Sequence, residues 1–170
     1  FKKSEDFQFG ENDFHGSGGP IKVEKMRATF KVLDLFLEAA EEFGYKKTED
    51  FNSGNNEGMG YFPLTVKNGF RCSTAVGYLN PVKKRKNLKI ITKAHIKNIE
   101  FENKKATSVN YWLDNNLISV KANKEIILSA GTIGSPHILQ ASGIGPGDLL
   151  KNNNINVIKN HSAVGANLTD

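Results

Sequence analysis

Four histidines and one cysteine hold most of the nucleophilic, acid–base and metal-binding potential of this 170-residue chain. His15, His95, His137 and His161 lie far apart, and none has a Cys or second His at metal-ligand spacing. We therefore expect no metal site. Cys72 follows Arg71, whose charge would favour a thiolate. A lone Cys beside Ser73 and Thr74 at a helix start reads better as a small packing residue. The chain has no Gly-x-Ser-x-Gly nucleophile elbow and no Gly-x-x-x-x-Gly-Lys-Ser/Thr phosphate loop.

Glycine placement says more than the titratable residues. The segment from Glu125 to Gly145 reads as a strand, a glycine turn and a short helix that opens on Ser135-Pro136 and ends at Gly143. Such corners can bring backbone close to a nucleotide cofactor. Gly131-Thr-Ile-Gly134 directly follows the apolar run Ile126–Leu128, which is short enough for a strand covered on both faces. Glycine there lets a ligand or another strand approach the backbone. The local pattern leaves cofactor contact and a plain tight corner both open. Gly143-Ile-Gly145-Pro-Gly147 follows a helix instead of a strand, so it reads as a flexible connection.

The elements that must position this corner are mixed. Residues 1–20 are polar and glycine-rich and predict loop. Ile21–Val23 suits a brief strand. An amphipathic helix is expected over about 28–43, with Met26, Phe30, Leu33, Leu37 and Ala40 at three- and four-residue steps and Gly44 at its C′ position. Residues 46–72 are loop-like apart from a short strand over Tyr61–Val66. Ser73 caps a short helix through Leu79, which Pro81 ends. A β meander spans 88–129: strands over Leu88–Thr92, His95–Glu102, Thr107–Asp114 and Leu117–Lys121, with turns at Asn103-Lys104 and Asn115-Asn116. A helix start at Pro146 and Asp148 and a last strand over Ile155–Ile158 complete the set. The fold class is α+β.

Composition bounds the reading. Apolar residues make up 38% and charged residues 24%, as in an ordinary globular protein. No apolar run approaches the ~20 residues that cross a bilayer. The chain opens without a Met or a visible signal peptide, which points to a processed or excised piece. A net charge of +5 invites a nucleic-acid reading, but the one tight basic cluster, Lys83–Lys86, sits where a solvated loop is expected, so no nucleic-acid partner is assigned.

Four stretches taken together resemble the glucose–methanol–choline (GMC) oxidoreductase family. Gly131-Thr-Ile-Gly-Ser-Pro-His-Ile-Leu-Gln-Ala-Ser-Gly-Ile-Gly145 is similar to its second signature. Gly69-Phe-Arg-Cys-Ser-Thr-Ala-Val-Gly-Tyr-Leu79 resembles its Gly-x-Arg-x-Ser-Thr-Ala-x-x-Tyr-Leu segment. Asn87–Ile96 and Val164–Asp170 match two further stretches, in family order. Within the family the likeness is greatest to choline dehydrogenases. The resemblance implies the middle part of a two-domain FAD enzyme that oxidises an alcohol such as choline by hydride transfer to the flavin. It implies that residues 1–72 belong mainly to a substrate-domain-like part and 73–170 mainly to an FAD-binding-domain-like part, both incomplete. It carries cofactor contact onto Ile96, Ala130 and Gly131. The family's Gly-x-Gly-x-x-Gly loop and its catalytic histidine segment have no counterpart here, so no catalytic residue is assigned in this chain. The expectation is a fragment that is inactive alone, does not retain FAD, relies on the missing N- and C-terminal parts and tends to self-associate. The alternative is a stand-alone non-catalytic binding or scaffold module. The parent is expected in the cytoplasm or associated with a membrane.

Overall fold

The polar, glycine-rich start of the chain is loop over residues 8–20, as its composition predicts, but not over residues 2–7. In the computed structural model, which describes residues 1–169, a 3-10 turn at Lys2–Ser4 leads into strand β1 (Glu5–Phe7), which pairs in parallel with β2 (Ile21–Val23). The intervening chain folds back so closely that a Cβ on Gly16 would lie 1.8 Å from the Lys2 carbonyl oxygen. Glycine there permits a backbone contact. β2 has the bounds its sequence predicts.

By backbone contacts the chain divides into two units, one spanning Phe1–Lys89 and the other beginning at Ile90. In the first, helix α1 (Lys31–Glu42) ends as expected. Gly44 has φ +102°, its N–H bonds the Glu41 carbonyl, and Tyr45 N–H bonds the Ala40 carbonyl, a Schellman pattern. The amphipathic face packs only in part inside this unit: Leu37 and Ala40 are half-buried, while Phe30, Leu33, Val32 and Phe36 are exposed. The Tyr61–Val66 strand is also corrected. Leu64 makes an isolated bridge to Glu24, and only β3 (Val66–Lys67) pairs, with β4 (Phe70–Arg71). Ser73 does cap the next helix, its hydroxyl accepting the Val76 N–H at 3.4 Å. That helix is a π turn, Ala75–Leu79, running into α2 (Asn80–Val82). Pro81 therefore sits in a new first turn, where its missing N–H costs little. The buried apolar residues of this unit are Phe7 and Cys72, and Cys72 is indeed a packing residue whose sulfur accepts the Lys22 N–H at 3.4 Å.

The second unit contains the predicted meander. β5 (His95–Glu102), β6 (Lys105–Leu113) and β7 (Asn116–Lys121) form an antiparallel sheet in that order. Both connections are two-residue turns in which each residue takes positive φ: Asn103 and Lys104 at +50° and +65°, Asp114 and Asn115 at +47° and +64°. These are type I′ values, which match the twist of the flanking strands. The second turn lies one residue earlier than expected, because Asn116 pairs with Leu113.

Two expected strands are absent. Neither Leu88–Thr92 nor Ile126–Leu128 pairs with any described segment, and Ile127 is 79% exposed instead of buried. Apolar composition does not make a strand without a neighbour to receive its N–H and C=O groups. After the second of these stretches comes α3 (Gly131–Ala141), then β8 (Ile144–Gly145), α4 (Gly147–Asn152) and β9 (Lys159–Asn160). β8 and β9 pair in parallel, so the last strand follows the predicted Ile155–Ile158 instead of coinciding with it. The glycine run 143–147 is correspondingly no flexible connection: Gly145 and Gly147 are buried. Among the described residues no helix is long and apolar enough to cross a membrane.

Gly143 is the tightest point of this unit. It has φ +89°, and an added Cβ would lie 2.4 Å from the Asn156 carbonyl oxygen. Gly143→Ala is expected to destabilise the unit by at least about 2 kcal/mol, through strain and displaced backbone. Urea unfolding followed by Trp112 fluorescence measures this; an unchanged midpoint would contradict it.

Candidate functional site

The glycine corner is built differently from its sequence reading. α3 starts at Gly131, so Ser135 is not its cap; the Ser135 hydroxyl reaches back to accept the Ala130 N–H at 3.0 Å. Pro136 then falls inside the helix, where it supplies no N–H to the turn before it. Gly131 has φ +83° and nothing within 4 Å of where a Cβ would be. The conformation calls for glycine, and the space beside it is open. The N–H groups of Gly131, Thr132 and Ile133 belong to the first turn, so no helical carbonyl precedes them to accept their bonds. Their dipoles favour a negatively charged group at this end of α3.

Beside this end lies a hollow of about 640 Å³, lined on one side by Thr132, Pro136, His137 and Gln140 of α3 and on the other by Gly165–Thr169. The far wall is held by Gln140, whose side-chain N–H donates to the Val164 carbonyl at 3.0 Å. Gly165 leaves room for that amide: an added Cβ would be 2.6 Å from Gln140 Nε2. Among the described residues the hollow has no carboxylate, lysine or arginine in its lining. It offers shape and backbone polarity without an acid–base pair. Asp170, the last residue of the fourth matching stretch, lies outside the described residues.

Ile96 lies in β5, half-buried and paired with Tyr111. β5 is an edge strand, so one side of its backbone has no strand partner. α3 meets that edge through its C-terminal end. The Ser142 hydroxyl, buried, accepts the Ile99 N–H at 2.8 Å and donates to the Ile138 carbonyl at 2.5 Å. Ala130 and Gly131 are at the opposite end of this 11-residue helix, about 16 Å along its axis. The structure thus places Ile96 and the Ala130–Gly131 pair in one unit, on two elements clamped to each other at Ser142. On the same sheet, Asn110 and Ser108 donate to Glu100 at 2.7 and 2.8 Å and hold its carboxyl below the usual range.

Other reactive side chains do not converge. His95 opens β5, His137 is an exposed residue of α3, and His161 N–H bonds the Gly145 carbonyl in the segment after β9. Among the described residues no group of three or more His, Cys, Asp or Glu could hold a metal ion. Two clusters escape the sequence reading. The Ser142 brace carries one local signal, a hydroxyl residue beside a helix-ending glycine in apolar surroundings. The buried His15 of the first unit bonds Glu5 and Asp50, and its partners, 10 and 35 residues away, leave no local signal.

The whole chain, residues 1–170, matches the family model described as GMC oxidoreductase. An oxygen-dependent choline dehydrogenase of Proteus mirabilis is 45% identical over 174 residues, which cover all of this chain and 31% of that protein. One from Pectobacterium atrosepticum is 41% identical with the same coverage. The chain therefore spans about a third of the length of these relatives. Among solved structures, pyridoxine 4-oxidase from Mesorbium loti superposes with a TM-score of 0.88 at 29% identity, covering 95% of this chain and 32% of that one. An FAD-dependent oxidoreductase from Chaetomium thermophilum gives 0.85 at 29% identity, covering 94% and 30%.

Removing the Ser142 hydroxyl leaves the Ile99 N–H without its partner in a buried setting. Ser142→Ala is expected to cost about 1–3 kcal/mol and to speed amide exchange at Ile99 while leaving β6–β7 amides protected. Residue-resolved hydrogen exchange checks this, and uniform change across the sheet would contradict it.

Proposed function

The chain belongs to the GMC oxidoreductases, and on that premise we propose that the whole protein is an FAD-dependent oxidoreductase acting on the CH–OH group of an alcohol, choline first among them. The observation that carries this reading is the end-to-end match to choline dehydrogenases at 41–45% identity. FAD, when bound, supplies the acceptor for hydride from the alcohol carbon. This stretch contributes to holding that cofactor, and residues 73–170 form the FAD side while 1–72 face the substrate side.

The residues present fit such a group. Gly131 offers open space where any side chain would intrude, and the unpaired first-turn N–H groups of α3 favour a phosphate charge. At Ile96 the free edge of β5 offers backbone groups to a planar base, and Ser142 occupies that edge only at Ile99. Ala130 positions the turn through its bond to Ser135. Among the described residues, His137 is the one titratable side chain in the hollow and it has no oriented partner, so we assign proton removal to residues outside this stretch. By itself the 170-residue chain is then inactive.

The test compares the full-length parent with this chain. Flavin absorbance and choline-dependent turnover are expected from the parent and not from the chain alone. Gly131→Val in the parent should weaken FAD binding at least tenfold, about 1.4 kcal/mol, with Lys151→Ala at the exposed end of α4 as a control. A parent that purifies without flavin and takes up none when FAD is added would sink the proposal.

A further inference from the structure

The first unit buries a histidine that the proposed chemistry does not use. His15 Nδ1 lies 3.0 Å from Glu5 Oε2, and its Nε2 lies 2.8 Å from Asp50 Oδ2. The side chain is 3% exposed, and the ring stacks on Phe7 at a centroid distance of 3.8 Å. A carboxylate only accepts hydrogen bonds, and a neutral imidazole has a single N–H. With a neutral ring, one of these two contacts would set lone pair against lone pair in a buried place. Only the imidazolium satisfies both.

The two carboxylates come from different parts of the chain, which are tied otherwise by the exposed Lys25–Glu49 ion pair at 2.9 Å and by Phe14 lying against Gly54. Glu5 belongs to β1 and also accepts the Gly16 N–H at 2.9 Å. Asp50 is the corner of the 46–60 loop, where its other oxygen accepts the Asn52 N–H and its carbonyl accepts the Thr48 hydroxyl. That loop is closed on itself at Lys47 and Met59. We propose that His15 is a protonation-controlled pin: as imidazolium it ties the 46–60 loop to β1, and as neutral imidazole it lets that loop go.

The charged groups facing the ring are Glu5 from β1 and Asp50 from the loop. On the ring's own segment, Lys2 is engaged by the Asn12 carbonyl and sits 3.9 Å from Glu11, with Asp13 exposed. On the outer side of β1, Asp6 pairs with Lys22. Burial alone would pull the His15 pKa down, but the hydrogen bonds to Asp50 and Glu5 outweigh it and hold the pKa above 6.5. A raised histidine pKa stabilises fully below the unfolded value near 6.5 and loses that stabilisation as pH rises through the folded value. Release is therefore alkaline.

Two measurements on the 170-residue chain test the pin. In ¹⁵N-labelled protein at pH 6, both ring nitrogens of His15 should be protonated, and the proton should come off above the ordinary histidine value. Brief trypsin digestion should cut at Lys46–Lys47 at least tenfold faster at pH 9 than at pH 6.5, normalised to cutting at the exposed Lys83–Lys86 run. In His15→Gln the loop should be cut fast at both pH values. A neutral His15 ring at pH 6, or a variant that keeps the full pH dependence, would overturn the proposal. If the variant fails to fold, the ring-nitrogen titration of the unaltered chain still decides it.

Discussion

Backbone pairing governs this chain more than apolar content does. A strand exists where a second stretch of the same polypeptide lies alongside to exchange N–H and C=O bonds, and nowhere else. β5, β6 and β7 have each other. Leu88–Thr92 and Ile126–Leu128 are as apolar as any of them and stay unpaired. The helices obey the same rule on their faces. α1 has a proper C-terminal cap and an apolar stripe, yet it is only half-buried at Asp34, Leu37 and Ala40, because its own unit sets little more than the Tyr61 side against it. Local preferences shape each piece, and burial follows only where a partner is at hand.

The family signature is then better understood as a set of braces. Ser142 fastens the end of α3 to the edge of the meander, Gly143 lets the next strand return within van der Waals range, and Gln140 holds the closing segment at Val164. These three lie within four residues at the C-terminal end of α3. Their joint effect is to fix the open, glycine-lined start of α3 relative to β5 without any residue of the start being involved. Precision at a cofactor contact made by backbone atoms has to come from such remote fastening, since no side chain at Gly131 can be adjusted to supply it.

Much of this was legible in the residues and some was not. β2, β5 and the Gly44 cap follow from local pattern alone, as does the Asn103-Lys104 turn, because each depends on neighbours in sequence. The Asp114-Asn115 turn was missed by one residue, since several of the residues there tolerate positive φ and only strand register chooses between them. Gly16 lies in the loop that was expected, and what was missed is the Lys2–Phe7 stretch before it, whose strand needs a partner 16 residues on. Ser135 misled because a hydroxyl can serve a helix start from inside as well as from before it. His15 could not be read at all: a contact with Asp50 across 35 residues leaves no periodicity. Four ordered motifs still named the family, since they required residue order and not geometry.

The two hairpin turns of the meander also say something about time. Residues 95–121 form a three-stranded sheet in which every contact is between sequence neighbours joined by two-residue turns. Closing such short loops costs little entropy, and low contact order makes for fast folding. As the polypeptide leaves the ribosome, this sheet can assemble before the C-terminal flank arrives. Its open β5 edge then stands as the template on which α3 docks through Ser142, so the order of synthesis and the order of assembly coincide.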